Sequence, residues 1–446
     1  MSVRAEPFPR RRSTELGLVL LAVVATAGAY VLASLGTTAE IPVNLGPFLL
    51  FVLGLFLVAH IAVRRYAPEA DPVLLPIAAL LNGIGYVVIA GLDARGRESF
   101  AAAQATWTAI GVVAFCTALL VVPRIRDLQR YRYTFLLTGL VLLILPFVPG
   151  LGSERFGARI WVSLGPINFQ PGEVTKLVLA LFFAGYLVDK RELLRSSPRR
   201  LGPVRVPEPK YLGPVLLAWA VSLMVMISQK DLGTSLLFFA LFIVMLWVAT
   251  ERPSWLIIGA LLFLAGSWFS FHRFGHVQDR VDIWLDPWQD PDGTGYQIIQ
   301  AAFAMAAGGL AGTGLGLGGA VRIPLAESDF IFASIGEQLG LFGATLVLVA
   351  FLMVIGSGLR IAIRTDQPFE KLLAVGLTTL IGVQAFIIIG GVTRLLPLTG
   401  ITLPFVSYGG SSLVANYVLI ALLLRISDES NRRARKPEVV ASVGAP

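Results

Sequence analysis

Apolar residues run along this chain in long blocks rather than in strict alternation or heptads. A block spans a bilayer as a helix when it holds roughly 17 to 25 mostly apolar residues, and about twelve blocks meet that length. They cover residues 15–35, 46–63, 72–91, 105–122, 133–149, 172–188, 212–228, 232–249, 254–271, 331–357, 370–391 and 406–425, numbered below as spans one to twelve. The predicted fold class is all-α, a polytopic helical membrane bundle, because a helix satisfies its own backbone polar groups where no water can. Arg10, Arg11 and Arg12 precede the first block as in a secretory signal. That block is too long for a signal core and no small-residue cleavage site follows it, so it is expected to stay as a span.

The polar intervals are unequal. Most connections are short, but about 60 residues, 272–330, separate spans nine and ten, far beyond the ~4 to 6 usual between elements. This loop is too rich in Trp, Tyr and apolar residues to be disordered, and loops of that length are usually functional. Residues 190–210 are basic and contain Pro, which predicts a mobile linker beside anionic membrane lipids. From Asp428 onward the chain is polar with Pro and Ala, which predicts a disordered tail.

Composition adds two exclusions. At 446 residues, 56% hydrophobic and 14% charged, the chain has too little polar surface to coat a soluble globule. The net charge of +8 is not a nucleic-acid footprint, because it is spread over inter-span segments rather than over one face of a soluble module. With a cytoplasmic N-terminus, most of the 36 Lys and Arg residues fall in inner segments, as positively charged loops do. Both termini are therefore expected inside, and the 272–330 loop outside. The single cysteine, Cys116, sits in an apolar block, so no intrachain disulfide forms.

Charges at span ends are the chemical signal, since ionisable groups within membranes are costly and usually functional. On this topology Arg159, Trp161, Glu173, Lys176, Lys230, Asp231, Asp329, Glu337 and Arg394 all lie toward the outer face. Glu173 and Lys176 share a helical face at i, i+3, which fits a local ion pair as well as a functional one. Arg159, Lys176, Lys230 and Arg394 come from four segments, and converging cations suit a polyanion such as a pyrophosphate. The rival is that each anchors only its own helix end. The long loop carries Asp279, Asp282, Asp286, Asp290 and Asp292 beside Trp284, Trp288 and Tyr296. Carboxylates supply general bases or metal ligands, and flat rings stack on sugars. The spacing does not match a calcium loop. His272 and His276 at i, i+4 lack a third metal ligand. The glycine-rich run 308–319 lacks a phosphate-loop ending, and close backbone packing or a re-entrant turn explains it better.

Together these landmarks resemble the SEDS family, the FtsW/RodA/SpoVE proteins. The resemblance rests on Gln170-Pro171-Gly172-Glu173 with Lys176, on Gln229-Lys230-Asp231-Leu232-Gly233-Thr234, and on Asp286-Pro287-Trp288-Gln289-Asp290-Pro291 with Gly295-Tyr296-Gln297. It continues through Asp329-Phe330-Ile331-Phe332, Gly336-Glu337, Leu403-Pro404 and Ser407-Tyr408-Gly409-Gly410-Ser411. Three departures stand out: Gly172 where many members have Ser, Glu327-Ser328-Asp329 in place of His-Thr-Asp, and Gln338 in place of a second acid.

The resemblance implies a ten-helix core over 72–427, two extra spans in 15–71, a basic cytoplasmic segment 1–14, a catalytic loop 272–330 and a tail 428–446. It implies a peptidoglycan glycosyltransferase that polymerises lipid II at the outer face of the bacterial cytoplasmic membrane, inverting the sugar and releasing undecaprenyl pyrophosphate. The elongation branch is favoured over division by Gly391-Val392-Thr393-Arg394-Leu395. It assigns Asp290 as catalytic, acting as base or as ligand to a divalent cation (Mg or Mn). Substrate binding is expected from Arg159, Trp161, Glu173, Lys176, Lys230, Asp231, Asp329, Glu337, Arg394, Ser407, Tyr408 and Ser411. The expected partner is a class B penicillin-binding transpeptidase, with no nucleic acid. Alternatives are a lipid II flippase, which needs a polar path from both sides, and a noncatalytic scaffold.

Overall fold

The computed structural model describes residues 12–96, 99–155, 158–165, 167–192, 199–201, 204–206, 220 and 228–443. Among these, eleven helices are long and apolar enough to cross a membrane. They fall on eleven of the expected spans, from Ser13–Thr38 and Leu45–Tyr66 through Ile331–Arg364 and Pro368–Val392 to Gly410–Arg435. The expected span at 212–228 lies almost wholly outside the described residues. The chain folds as a polytopic helical membrane protein.

Two compact units divide the chain. One combines Met1–Arg126, Ala304–Ala374 and Leu403–Pro446; the other combines Asp127–Phe303 and Val375–Thr402. In the first unit, spans one and three pack together, as do spans four and twelve. The second contact is tight because Gly111 has no side chain: a Cβ there would lie 2.5 Å from the Tyr417 ring.

Span twelve corrects the expected tail. Its helix runs over Gly410–Val443, and its polar residues 428–435 are packed rather than free. Asp428 is fully buried, accepts the Glu69 N–H at 2.8 Å and pairs with Arg432 at 2.9 Å. Asn431 donates to the Glu69 carbonyl at 2.7 Å, and Arg435 pairs with Glu69 at 2.6 Å. Polar composition read as disorder is here a hydrogen-bonded clasp between span twelve and the turn after span two. A second buried pair, Glu15 with His60 at 2.8 Å, joins spans one and two.

The second unit holds spans five, six, eight and nine and, from Val375, most of span eleven. Between five and six, Gly152–Arg155, Ala158–Leu164 and Ile167–Phe169 form a three-stranded antiparallel sheet. The 272–330 loop is ordered. It begins with a helix at Gly275–Leu285, a single 3-10 turn at Pro287–Gln289 and a helix at Tyr296–Gly308.

The glycine-rich run belongs to the first unit from residue 304 and proves to be a packing device, as expected. Thr313 and Gly314 donate N–H groups to the Glu337 and Gln338 carbonyls at 2.9 and 3.1 Å. The receiving helix opens at Gly340, with φ 64° and ψ −162°, a backbone conformation that only glycine adopts readily.

Candidate active site

In the second unit the site starts from two helix beginnings. Pro171 opens span six, where its missing N–H costs nothing, and Glu173 occupies the first turn, where the helix dipole favours an anion. One turn on, Lys176 meets it: Nζ lies 2.6 Å from Glu173 Oε2, with side chains 1% and 7% exposed. The i, i+3 spacing therefore makes a buried pair. Sequence reasoning missed Gln384 on span eleven, whose Oε1 accepts from Lys176 Nζ at 2.8 Å and whose Nε2 donates to the Thr402 carbonyl at 2.7 Å.

Asp231 caps span eight, taking the Thr234 N–H at 3.0 Å and its hydroxyl at 2.7 Å. Burial pushes this carboxyl up; the Thr234 bonds and Arg280 oppose the rise, and Glu173 adds to it. Glu173 and Arg280 thus share one electrostatic neighbourhood with Asp231, and Lys176 joins it through Glu173. Arg280, not singled out by the sequence, donates to the Leu398 carbonyl at 2.8 Å. Its signal was present: a cation four residues after His276 on a short helix.

Arg394 binds the end of that helix. Its guanidinium donates to the Trp284 and Leu285 carbonyls at 3.1 and 3.2 Å, and Trp284 Nε1 returns a bond to the Arg394 carbonyl at 2.9 Å. A cation on terminal carbonyls is an anchoring role, but on the end of a helix other than its own. Arg159 is exposed on the middle strand, Trp161 is half-buried opposite Ser153, and Lys230 is exposed at φ 59°. Burial lowers the pKa of His276, and the nearby Arg280 and Lys230 charges add to this effect.

Asp290 ends the 3-10 turn and is exposed. Its Oδ2 accepts the Thr294 N–H at 2.8 Å and the Thr294 hydroxyl at 3.0 Å, and its carbonyl accepts the Gly295 N–H at 3.0 Å. The Thr294 bonds hold the carboxyl below the usual carboxylate range, with the Gly293 N–H contributing. Asp290 is therefore an ionised carboxylate in a pre-formed turn, with Trp288 beside it and that ring 6.0 Å from Phe303. Among the described residues no ion pair reaches Asp290, and no cluster of three His, Cys, Asp or Glu side chains suits a metal.

The remaining residues assemble in the first unit. Asp329 accepts the Ser328 hydroxyl at 3.0 Å. Ser407 donates its hydroxyl to the Ser328 carbonyl and accepts the Leu403 N–H at 2.8 Å. The Tyr408 N–H reaches the Glu327 carbonyl at 2.8 Å, its ring lies 4.8 Å from Phe100, and Ser411 is buried. Two segments distant in sequence, 325–330 and 403–411, are thereby stitched together. Glu337 is buried and accepts the Gly319 N–H at 2.7 Å; its other oxygen has no hydrogen-bond partner among the described residues.

A family model described as "Cell cycle protein", covering FtsW, RodA and SpoVE, matches residues 72–432. The peptidoglycan glycosyltransferase RodA of Mycobacterium tuberculosis is 46% identical over 436 residues, 96% of this chain and 93% of that protein. That span takes in most of the two leading helices, which the family model omits. A probable peptidoglycan glycosyltransferase FtsW of Geobacter metallireducens is 38% identical over 70% of this chain and 81% of its own. A solved chain from a peptidoglycan synthase complex that coordinates polymerization and crosslinking is 26% identical, with TM-score 0.56, covering 86% of this chain and 98% of that one. This chain belongs to the FtsW/RodA/SpoVE family.

Proposed function

We propose that this bacterial membrane protein is a peptidoglycan glycosyltransferase that polymerises lipid II into glycan strands at the outer face of the cytoplasmic membrane. The carrying observation is the 46% identity to a RodA glycosyltransferase across 96% of the chain, which includes the Asp290 turn. The higher identity and coverage against RodA than against FtsW support the elongation branch. Both termini lie in the cytoplasm on this reading, and a class B penicillin-binding transpeptidase is the partner, in keeping with the synthase complex that contains a similar chain.

In the reaction, the acceptor GlcNAc 4-hydroxyl oxygen attacks the anomeric carbon of the lipid-linked donor. The bond to the pyrophosphate oxygen breaks, and that oxygen leaves with the electron pair. The hydroxyl proton passes to the Asp290 carboxylate. A carboxylate held below its usual range is a weak base toward an alcohol, so Asp290 first accepts the hydroxyl as a hydrogen-bond donor and takes the proton late. The leaving pyrophosphate needs cations. Arg394 is engaged on carbonyls and Lys176 is sealed against Glu173, so exposed Arg159 and Lys230 meet it first and Lys176 completes the compensation. Mg or Mn, if bound, would be held by the Asp290 carboxylate and would supply positive charge toward the leaving pyrophosphate.

The test is glycan-strand synthesis from lipid II by purified Asp290→Ala and Asp290→Asn protein. Loss of about 10²-fold or more is expected, and wild-type rates would sink the assignment. A labelled-lipid flipping assay on the same variants separates transport from polymerisation.

A further inference from the structure

We propose that Gln384 is a positioning residue that orients the Lys176 ammonium so that its third N–H is kept for the anionic leaving group. The inference rests on the glycosyltransferase reading above and deepens it.

Gln384 is 1% exposed on span eleven. A glutamine amide has one accepting and one donating end, and its neighbours fix which end faces which. An ammonium only donates, so Oε1 must face Lys176, at 2.8 Å. A carbonyl only accepts, so Nε2 must face Thr402, at 2.7 Å. Both contacts agree on one orientation, and the side chain becomes a strut from the first turns of span six to the segment after span eleven.

The strut differs in kind from the Glu173 contact. Glu173, at 2.6 Å, neutralises the ammonium, whereas Gln384 takes an N–H without cancelling charge. An ammonium carries three donors. Glu173 and Gln384 use two, and the third has no partner among the described residues. With the nitrogen fixed from two directions, that donor has a set direction, in a site sealed from water where charge acts strongly. A pyrophosphate oxygen entering there draws on a cation already oriented, at no cost of immobilising a flexible lysine.

The experiment uses the full-length protein with lipid II and four variants: Gln384→Met, which keeps the shape and removes the acceptor, Gln384→Glu, Lys176→Met, and Gln384→Met combined with Lys176→Met. Gln384→Met is expected to lower kcat about tenfold or more with KM within about twofold, because the contact matters in the transition state. In the Lys176→Met background the same change should add less than about twofold, since residues acting through one another are not additive. Gln384→Glu should also lower kcat, because it sets a second carboxylate beside an ammonium that Glu173 already balances and so repels the anionic leaving group.

A readout independent of activity is labelling of Lys176 by acetic anhydride, followed by peptide mass spectrometry. Gln384→Met should raise it about fivefold or more as the ammonium is released, and Gln384→Glu should not. Wild-type kcat in Gln384→Met, multiplicative losses in the double variant, or unchanged Lys176 labelling each overturn the positioning role. A wild-type protein that leaves lipid II unpolymerised overturns the glycosyltransferase reading instead, and the labelling arm still decides whether Gln384 holds Lys176. If Gln384→Met does not fold, Gln384→Glu carries the test: wild-type kcat there overturns the proposal.

Discussion

Glu173 and Lys176 stand one helical turn apart with Nζ and Oε2 at 2.6 Å, and neither side chain is more than 7% exposed. Removing one member of such a pair strands a buried charge, which costs about 3–5 kcal/mol, whereas replacing both with apolar or neutral groups is often tolerated. Lys176→Met should therefore lower the thermal midpoint clearly, and Lys176→Met with Glu173→Gln should restore most of it. Differential scanning fluorimetry in detergent measures this. A single variant as stable as wild type would show that the pair contributes little.

Thr294 serves Asp290 twice, through its N–H and its hydroxyl. Thr294→Val keeps the backbone bond and removes the other. The carboxyl pKa should move up toward its ordinary value, so the acid limb of the rate profile attributable to Asp290 should shift to higher pH. The rate at neutral pH should fall roughly three- to tenfold as the turn loosens, the effect of about one ordinary hydrogen bond at an exposed group. An unchanged acid limb would show that the Thr294 hydroxyl does not tune Asp290.

Much of this was legible in the chain because lipid imposes a length on apolar blocks. Eleven spans fall where such blocks run, and Pro171, Glu173 and Asp231 announce helix starts by residue type. The illegible parts depend on contacts distant in sequence. Gln384 is one polar residue in an apolar block until Lys176 and Thr402 are brought to it, about 208 and 18 residues away. Arg394, counted among converging cations, caps carbonyls of a helix about 109 residues earlier. The segment from Asp428 has the composition of a disordered tail, and only partners distant in sequence, Glu69, Ile125, Arg364 and Glu370, show why it packs as a helix.

His276 lies near Arg280 and Lys230 and titrates below its ordinary value, chiefly through burial and then through those charges; Asp279 opposes the shift, and Phe274 packs on its ring. A histidine whose folded pKa is depressed contributes stability above its unfolded pKa, about 6.5, and loses it as pH falls through the folded value. Acidification from about pH 7.5 to about pH 5.5 should therefore lower the melting temperature more in wild type than in His276→Gln. Equal acid sensitivity in the two proteins would remove His276 from the account.

Gly340 and Gly356 lie on the same helix in opposite circumstances. Gly340 has φ 64°, and a Cβ there would meet the Leu310 carbonyl oxygen at 2.5 Å and the Gly312 nitrogen at 2.4 Å; Gly356 has nothing within 4 Å. Gly340→Ala must both adopt a strained backbone, at about 1–3 kcal/mol, and push the glycine-rich run away from Glu337 and Gln338. Gly356→Ala only gains helix propensity, about 1 kcal/mol. Melting temperatures of the two purified variants should move in opposite directions, with polymerisation retained in Gly356→Ala and reduced in Gly340→Ala. A Gly340→Ala protein as stable as wild type would mean that the 308–319 run repacks freely, and that Glu337 does not depend on it for its place.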